Sequence, residues 1–308
     1  MAKSSAPTSR PAPKTAVRGG RPAGLFTGGA VGLVIVVVAA LVIIKVASGS
    51  SSPTATNFQA ADPTVVSELT SIPARIFNAV GVNSPIVAVT PPTSVTGQPE
   101  LTTKVNGKPL PEIFYEGGEF CPFCAAQRWS TIVALSRFGT WSGLGNMSSY
   151  SGDDYPNTPT FTFVKAHYTS KYVAFKSVEA YGDAIDPSTG QYVLLQTPTR
   201  AESALVNKYD THKYISAVSP TPPPPIPFFT FANRFLVAGA SYTPAALQGL
   251  TRNQITSGLS STTSPVTIAI IASANYQTAA ICSLTKNLPS TVCQSAGVKA
   301  AKKTMGIK

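Results

Sequence analysis

The chain has 308 residues, 43% of them apolar, with 24 Lys and Arg against 13 Asp and Glu, 27 Pro and four Cys. That supplies one sizeable folded domain with additions and excludes a chain disordered throughout. Only 12% of the side chains are charged, against roughly 25% in an ordinary soluble domain, so an apolar segment inflates the average.

The net charge of +11 is unevenly placed. Ten of the 24 bases lie in residues 1–24, at Lys45 and beyond Val298, which leaves 14 bases against all 13 acids in residues 46–298. A nearly neutral body gives a nucleic-acid partner no electrostatic footing. Leu25 to Ile44 is a run of 20 residues without a charge, and at ~1.5 Å per residue it spans the ~30 Å of a bilayer core. A cleaved signal peptide has a shorter apolar region, so residues 25–45 are expected to form an uncleaved transmembrane helix. Five bases precede this span, and Lys45 alone follows it, with a stem long enough to snorkel. The positive-inside rule therefore makes residues 1–24 a disordered cytoplasmic tail and places the rest outside the cell membrane, as a single-pass protein. Residues 46–61 read as a flexible linker.

Asp62 before Pro63 predicts a helix start, and apolar residues recur at helical spacing from Val65 to Val80, with Pro73 as a break or kink. Ile86–Thr90 and Leu101–Val105 read as strands, the second followed by the hairpin turn Asn106-Gly107. A third strand, Ile113–Tyr115, runs through Gly117-Gly118 into Cys121-Pro122-Phe123-Cys124. Ala125, Ala126, Trp129, Ile132, Val133, Leu135 and Phe138 then describe a helix ending at Gly139.

A Cys-x-x-Cys pair at a strand-to-helix junction has a chemical consequence. The sulfur at the helix N-terminus meets unpaired backbone N–H groups and the positive end of the macrodipole, which favour a thiolate, so Cys121 is expected to be the nucleophile. Cys124, inside the first turn, is placed to resolve the mixed disulfide. Two other readings of the pair remain open, half of a metal site and an inert structural bridge. Against the metal, ten residues lie between Cys282 and Cys293, and His167 and His212 sit in no knuckle spacing. Neither histidine is assigned a role, and no metal or cofactor is expected.

Between Gly139 and Pro220, Asn146–Ser149 reads as a second central strand, Thr160–Tyr168 and Tyr172–Val178 as paired strands, and Ala201–Tyr209 as a helix. The region as a whole reads as an insertion capping the cysteine pair. Phe228–Phe231 and Phe235–Val237 read as strands around Ala232-Asn233-Arg234, and Thr243-Pro244 starts a helix continued by Ile255 and Leu259. Pro265–Leu284 is apolar, but its Ser, Asn and Gln predict packing on the domain and not a second span. In an oxidising compartment Cys282 and Cys293 should form a structural disulfide worth ~2 to 4 kcal/mol. Residues 299–308 read as a basic tail.

The strand, Cys-Pro-Phe-Cys and helix resemble the active site of the thioredoxin superfamily, in its glutaredoxin-like and DsbA-like forms. The stretch Pro225-Ile226-Pro227-Phe228-Phe229 through Gly239 is similar to the superfamily's cis-proline strand and hairpin. The resemblance implies a cis Pro227 lying against Cys121 and Cys124. Residues 60–298 also resemble an uncharacterised family of membrane-anchored proteins, domain of unknown function 929. Together these imply an α/β fold, thioredoxin-like over residues 62–298, with an inserted region and extra C-terminal helices behind one transmembrane helix. They imply a thiol–disulfide oxidoreductase acting on extracytoplasmic protein thiols or disulfides and recycled by a membrane redox partner. The alternative is a redox-inactive binding or scaffold module of the cell envelope. One departure stands out, because relatives often keep a buried acid six residues before the first cysteine, where this chain has Tyr115. Glu116 and Glu119 lie close by as candidate proton acceptors for Cys124, against the preferred reading of both as solvated turn residues.

Overall fold

The computed structural model describes residues 58–221 and 223–307, so the expected cytoplasmic tail, transmembrane helix and most of the linker lie outside the described residues. Strand β1 (Gln59–Ala60) already belongs to the fold, although it falls in the stretch read as linker. The Asp62 carboxylate accepts from Thr64 N at 2.7 Å and starts helix α1 (Pro63–Thr70). Pro73 cannot donate inside a helix, so the apolar stripe restarts after it as α2 (Ala74–Val80). Strands β2 (Thr93–Ser94), β3 (Thr102–Val105) and β4 (Lys108–Gly117) follow. Asn106 and Gly107, with φ of 49° and 78°, make the turn that joins β3 to β4. Ile86–Thr90, expected as a strand, is irregular. Pro85, Pro91 and Pro92 bracket it, and Thr90 N donates to Ser241 O at 2.8 Å instead of entering a ladder.

Helix α3 (Pro122–Ser136) leads into β5 (Gly139–Ser142), β6 (Gly145–Ser148), β7 (Pro159–Thr162), β8 (His167–Ser170), β9 (Ala174–Glu179), β10 (Tyr181–Asp186) and β11 (Gln191–Leu194). Then come α4 (Arg200–Tyr209), the hairpin β12 (Phe228–Phe231) and β13 (Phe235–Ala238), α5 (Arg252–Gly258), α6 (Pro265–Leu284), α7 (Ser290–Cys293) and α8 (Ala296–Met305). The principal sheet has six strands in the order β2-β13-β12-β4, and β3 and β9 share the far edge of β4. β3 runs antiparallel along Lys108–Pro111, and β9 runs parallel along Glu112–Gly117. Ile113, Phe114 and Tyr115 are fully buried because both faces of this central strand are covered.

The second central strand is thus β9, not Asn146–Ser149. β6 pairs with β1 and β7 in a separate three-stranded sheet. Thr160–Tyr168 and Tyr172–Val178 do not pair with one another either. Their strands go to three partners, β7 to β6, β8 to β5 and β9 to β4. Alternation along one strand carries its burial pattern and says nothing of its neighbour, which is chosen by non-local packing. Residues 139–220 therefore supply part of the core as well as a cover. Thr243-Pro244 begins a short 3-10 turn (Pro244–Leu247), which ends before Gly249, at φ 75°, and α5 starts separately at Arg252.

α3 lies between the sheet and α6, so it is buried along almost its whole length, with Phe123 at its start exposed, and its buried polar residues need partners. They find them on α6: Thr131 Oγ1 donates to Gln277 Oε1 at 3.0 Å, and Gln277 Nε2 and Ser273 Oγ each donate to Ser130 Oγ at 2.9 Å. α6 is long and apolar enough to cross a membrane, but 94% of its most apolar window is buried inside the domain. Its last turn is tied to α7 by the Cys282–Cys293 bridge, Cα to Cα 5.6 Å. The Leu288–Pro289 peptide between them is cis. Lys299 to Met305, read as the start of a basic tail, continue α8, whose Val298 and Ala301 are fully buried against the body.

Candidate active site

β4 ends at Gly117, where a Cβ would overlap the Tyr115 hydroxyl and stand 3.1 Å from Cys124 Sγ. Only glycine lets the strand pass so close to that sulfur. Four residues on, Cys121 is the N-cap of α3 with Pro122 in the first helical position, and its Sγ accepts from Cys124 N at 3.2 Å. The N–H groups of the first turn are orphans of the helix, and the Cys121 sulfur takes up one of them. Across from it lies the start of β12. The Ile226–Pro227 peptide is cis, and Ile226 O is 3.8 Å from Cys121 Sγ. Cys121, Cys124 and Pro227 are thus brought together from residues about a hundred positions apart. Cys121 and Cys124 are free thiols, 5% and 0% exposed. Burial, and then the neighbouring Cys121, push the Cys124 thiol well above its ordinary range. Cys282 and Cys293 belong to the opposite hydrophobic cluster. His167 is exposed, and His212 Nδ1 lies 2.8 Å from Val218 O.

Beneath Cys124, one helical turn along α3, sits a buried ion pair absent from the sequence reading. Arg128 Nε donates to Glu179 Oε1 at 2.8 Å and Nη2 to Oε2 at 2.6 Å, with both side chains fully buried. Arg128 Nη2 also donates to Gly118 O at 2.9 Å, pinning the loop that leads into Cys121. The Tyr115 hydroxyl donates to Glu179 Oε2 at 3.1 Å, and Phe163 N to Oε1 at 3.3 Å. Burial works against the Arg128 charge, yet Glu179 outweighs it and holds the guanidinium protonated. The buried carboxylate near the pair therefore arrives from β9, the neighbour of β4. Arg128, the single charged side chain in the run Ala125 to Leu135, was the available signal.

A family model described as Domain of unknown function (DUF929) matches residues 101–283, more than half of the chain. The chain belongs to the DUF929 family. No curated protein and no solved structure matches it. The matched span of this DUF929 member runs from the residue before β3 to the last turn of α6, so it contains the cysteine pair, the ion pair and the Pro227 strand. Among its described residues no cluster of three or more His, Cys, Asp or Glu gathers to hold a metal.

Glu116 and Glu119 are not solvated turn residues. Glu119 is 3% exposed in the loop before Cys121, and Glu116 has Oε2 sealed from solvent without a hydrogen-bond partner. Burial raises both to about 7. Asp210, at the end of α4, is 3% exposed with neither carboxylate oxygen partnered, and burial followed by the Glu116 charge raises it to about 8. A carboxyl whose folded pKa exceeds its unfolded one favours the fold fully at low pH and loses that contribution as pH rises through the folded value. Each pH unit of separation is worth about 1.4 kcal/mol. The Asp210→Asn variant is therefore expected to be more stable than the parent at about pH 9, by up to about 6 kcal/mol. That advantage shrinks toward zero below about pH 3, where the parent's Asp210 is protonated in both states. Urea unfolding at the two pH values checks this, and a gap independent of pH refutes it.

Proposed function

We propose that this DUF929 member is a membrane-anchored thiol–disulfide oxidoreductase of thioredoxin-like fold, whose domain exchanges disulfides with extracytoplasmic protein thiols through Cys121 and Cys124. The observation that carries the reading is Cys121 Sγ at the N-terminus of a buried helix, bonded by Cys124 N and facing the carbonyl that precedes a cis Pro227. A thiolate of Cys121 attacks a substrate disulfide, one substrate sulfur leaves as a thiolate and takes a proton, and a mixed disulfide forms. Cys124 then attacks Cys121 Sγ, releases the second substrate thiol and closes the pair, so two electrons pass to the substrate. Run in reverse, the oxidised pair takes two electrons from a substrate dithiol. A membrane redox partner restores the starting state. Phe123, between the cysteines, brings no charge to the thiolate, which argues for a potential between the ~−270 and ~−120 mV of strong reductants and strong oxidants of this chemistry.

The test is trapping. Cys124→Ser should accumulate mixed disulfides with cell-envelope proteins, recovered by non-reducing electrophoresis and mass spectrometry. If nothing is trapped, the domain is a redox-inactive scaffold. The uncharged run Leu25 to Ile44 with its preceding bases supports a single-pass anchor with the domain outside. Protease added to intact cells should digest the domain, and full protection overturns that topology.

A further inference from the structure

Exchange requires a second sulfur to touch Cys121 Sγ, yet Cys121 is only 5% exposed. Something must move, and most of its surroundings are fixed. α3 is buried along its length apart from Phe123 and Ser136, and the Ile226–Pro227 segment leads into β12, which is laddered to both β4 and β13. The remaining wall is aromatic and comes from outside the principal sheet. Tyr192, on the isolated two-stranded ribbon β10-β11, stacks on Phe120 with ring centroids 4.1 Å apart and planes 12° from parallel. Tyr150 meets the Tyr192 ring edge-on at 5.5 Å, and both pack against the cluster that contains Phe120, Cys121 and Cys124. Phe120, on which Tyr192 stacks, directly precedes Cys121 in the chain, and burial raises the Tyr192 hydroxyl. The ribbon is held at its base, where Glu119 N donates to Tyr181 O and Leu195 N to Ala180 O. Beyond that base it pairs with itself alone, with an irregular register between Tyr181 and Ile185.

We propose that Tyr192 is the specificity-determining residue of the cysteine pair. Its ring swings off Phe120 to open a slot one ring wide, which admits cysteines carried on flexible, extended segments and turns away cysteines fixed in folded surfaces. This rests on the reading of the pair as an exchange site. Selectivity follows from the shape of the slot, since the Ile226–Pro227 side stays fixed, Tyr150 backs the Tyr192 ring and Tyr155 packs edge-on against Phe123 with centroids 5.8 Å apart. An offset stack of two rings is worth up to about tenfold in the rate of any step that must break it.

The experiment uses the full-length Cys124→Ser chain with Tyr, Phe, Leu or Ala at position 192. Two probes carry one glutathione mixed disulfide each, a short unstructured peptide and the same sequence on the rigid surface of a small folded protein. Glutathione release reports attack by Cys121. With Tyr or Phe at 192 the peptide reacts and the folded probe lags. Tyr192→Ala and Tyr192→Leu should speed the folded probe by about tenfold and the peptide by clearly less. Tyr192→Leu keeps an apolar side chain over Phe120 without a stack, so the comparison survives if the alanine variant does not fold. An unchanged ratio of the two rates in both variants overturns the gating role while leaving exchange intact. No release from either probe, with any residue at 192, overturns the exchange reading and the gating role with it.

Discussion

Replacing Cys121 by Ala is expected to abolish exchange and every mixed disulfide, whereas Cys124→Ser leaves the attack intact and strands the protein on its substrate. The asymmetry follows from where the two sulfurs sit. Cys121 caps α3 and already accepts the Cys124 N–H at 3.2 Å, a bond that strengthens when the acceptor is an anion. Cys124 is fully buried and its thiol is pushed up by that burial, so it does not meet substrate first. It becomes the attacking group only when a disulfide is delivered to its neighbour. The reduced parent should therefore be alkylated at Cys121 before Cys124, whose thiol is fully buried and pushed up. Peptide mapping after a short pulse of reagent reads the order. Equal labelling of the two cysteines, or mixed disulfides trapped by a Cys121→Ala variant, would contradict the assigned roles.

The second large effect is on stability. Arg128 and Glu179 are both fully buried and neutralise one another through two bonds. Removing one partner leaves an uncompensated charge in the interior, at a cost of about 3 to 5 kcal/mol, whereas removing both leaves none. Arg128→Met and Glu179→Leu should each lose that much in urea unfolding, and the double variant should lose much less than the two together. Additive losses would show that the pair is not coupled. The singles also bear on the site. Arg128 holds Gly118 O and opposes the burial that raises Cys124, so Arg128→Met should make Cys124 still slower to alkylate.

Much of the site's local geometry was legible in the sequence because it depends on neighbours along the chain. Asn106-Gly107 has one favourable use, as a tight turn between strands. The order strand, Gly-Gly, Cys-Pro-Phe-Cys, apolar helix puts a sulfur at a helix N-terminus wherever the chain is folded, since the helix start is set by Pro122 and by the apolar spacing after it. The polar interruptions in Pro265–Leu284 marked a helix packed within the domain for a local reason too. Ser273 and Gln277 need partners that a lipid surface does not offer and that Ser130 and Thr131 supply.

Tertiary structure alone decided what depends on partners far along the chain. That β9 and not β6 lies beside β4, that Glu179 consequently reaches Arg128, and that Glu116 and Asp210 lose their water are outcomes of which surfaces meet. Ala174–Glu179 alternates like a half-exposed strand, and nothing in that alternation names the strand it joins. Glu119 and Glu116 sit among glycines in a sequence that looks like a solvated turn, and they are buried because the ribbon and α4 close over them. The sequence by itself determined where the sulfurs sit on their helix, through capping and periodicity acting over a few residues. The cover over Cys121, the carboxylate beneath Cys124 and the meeting of both with Pro227 were left to the packing of segments some fifty to a hundred residues apart, where burial and desolvation outweigh local preference.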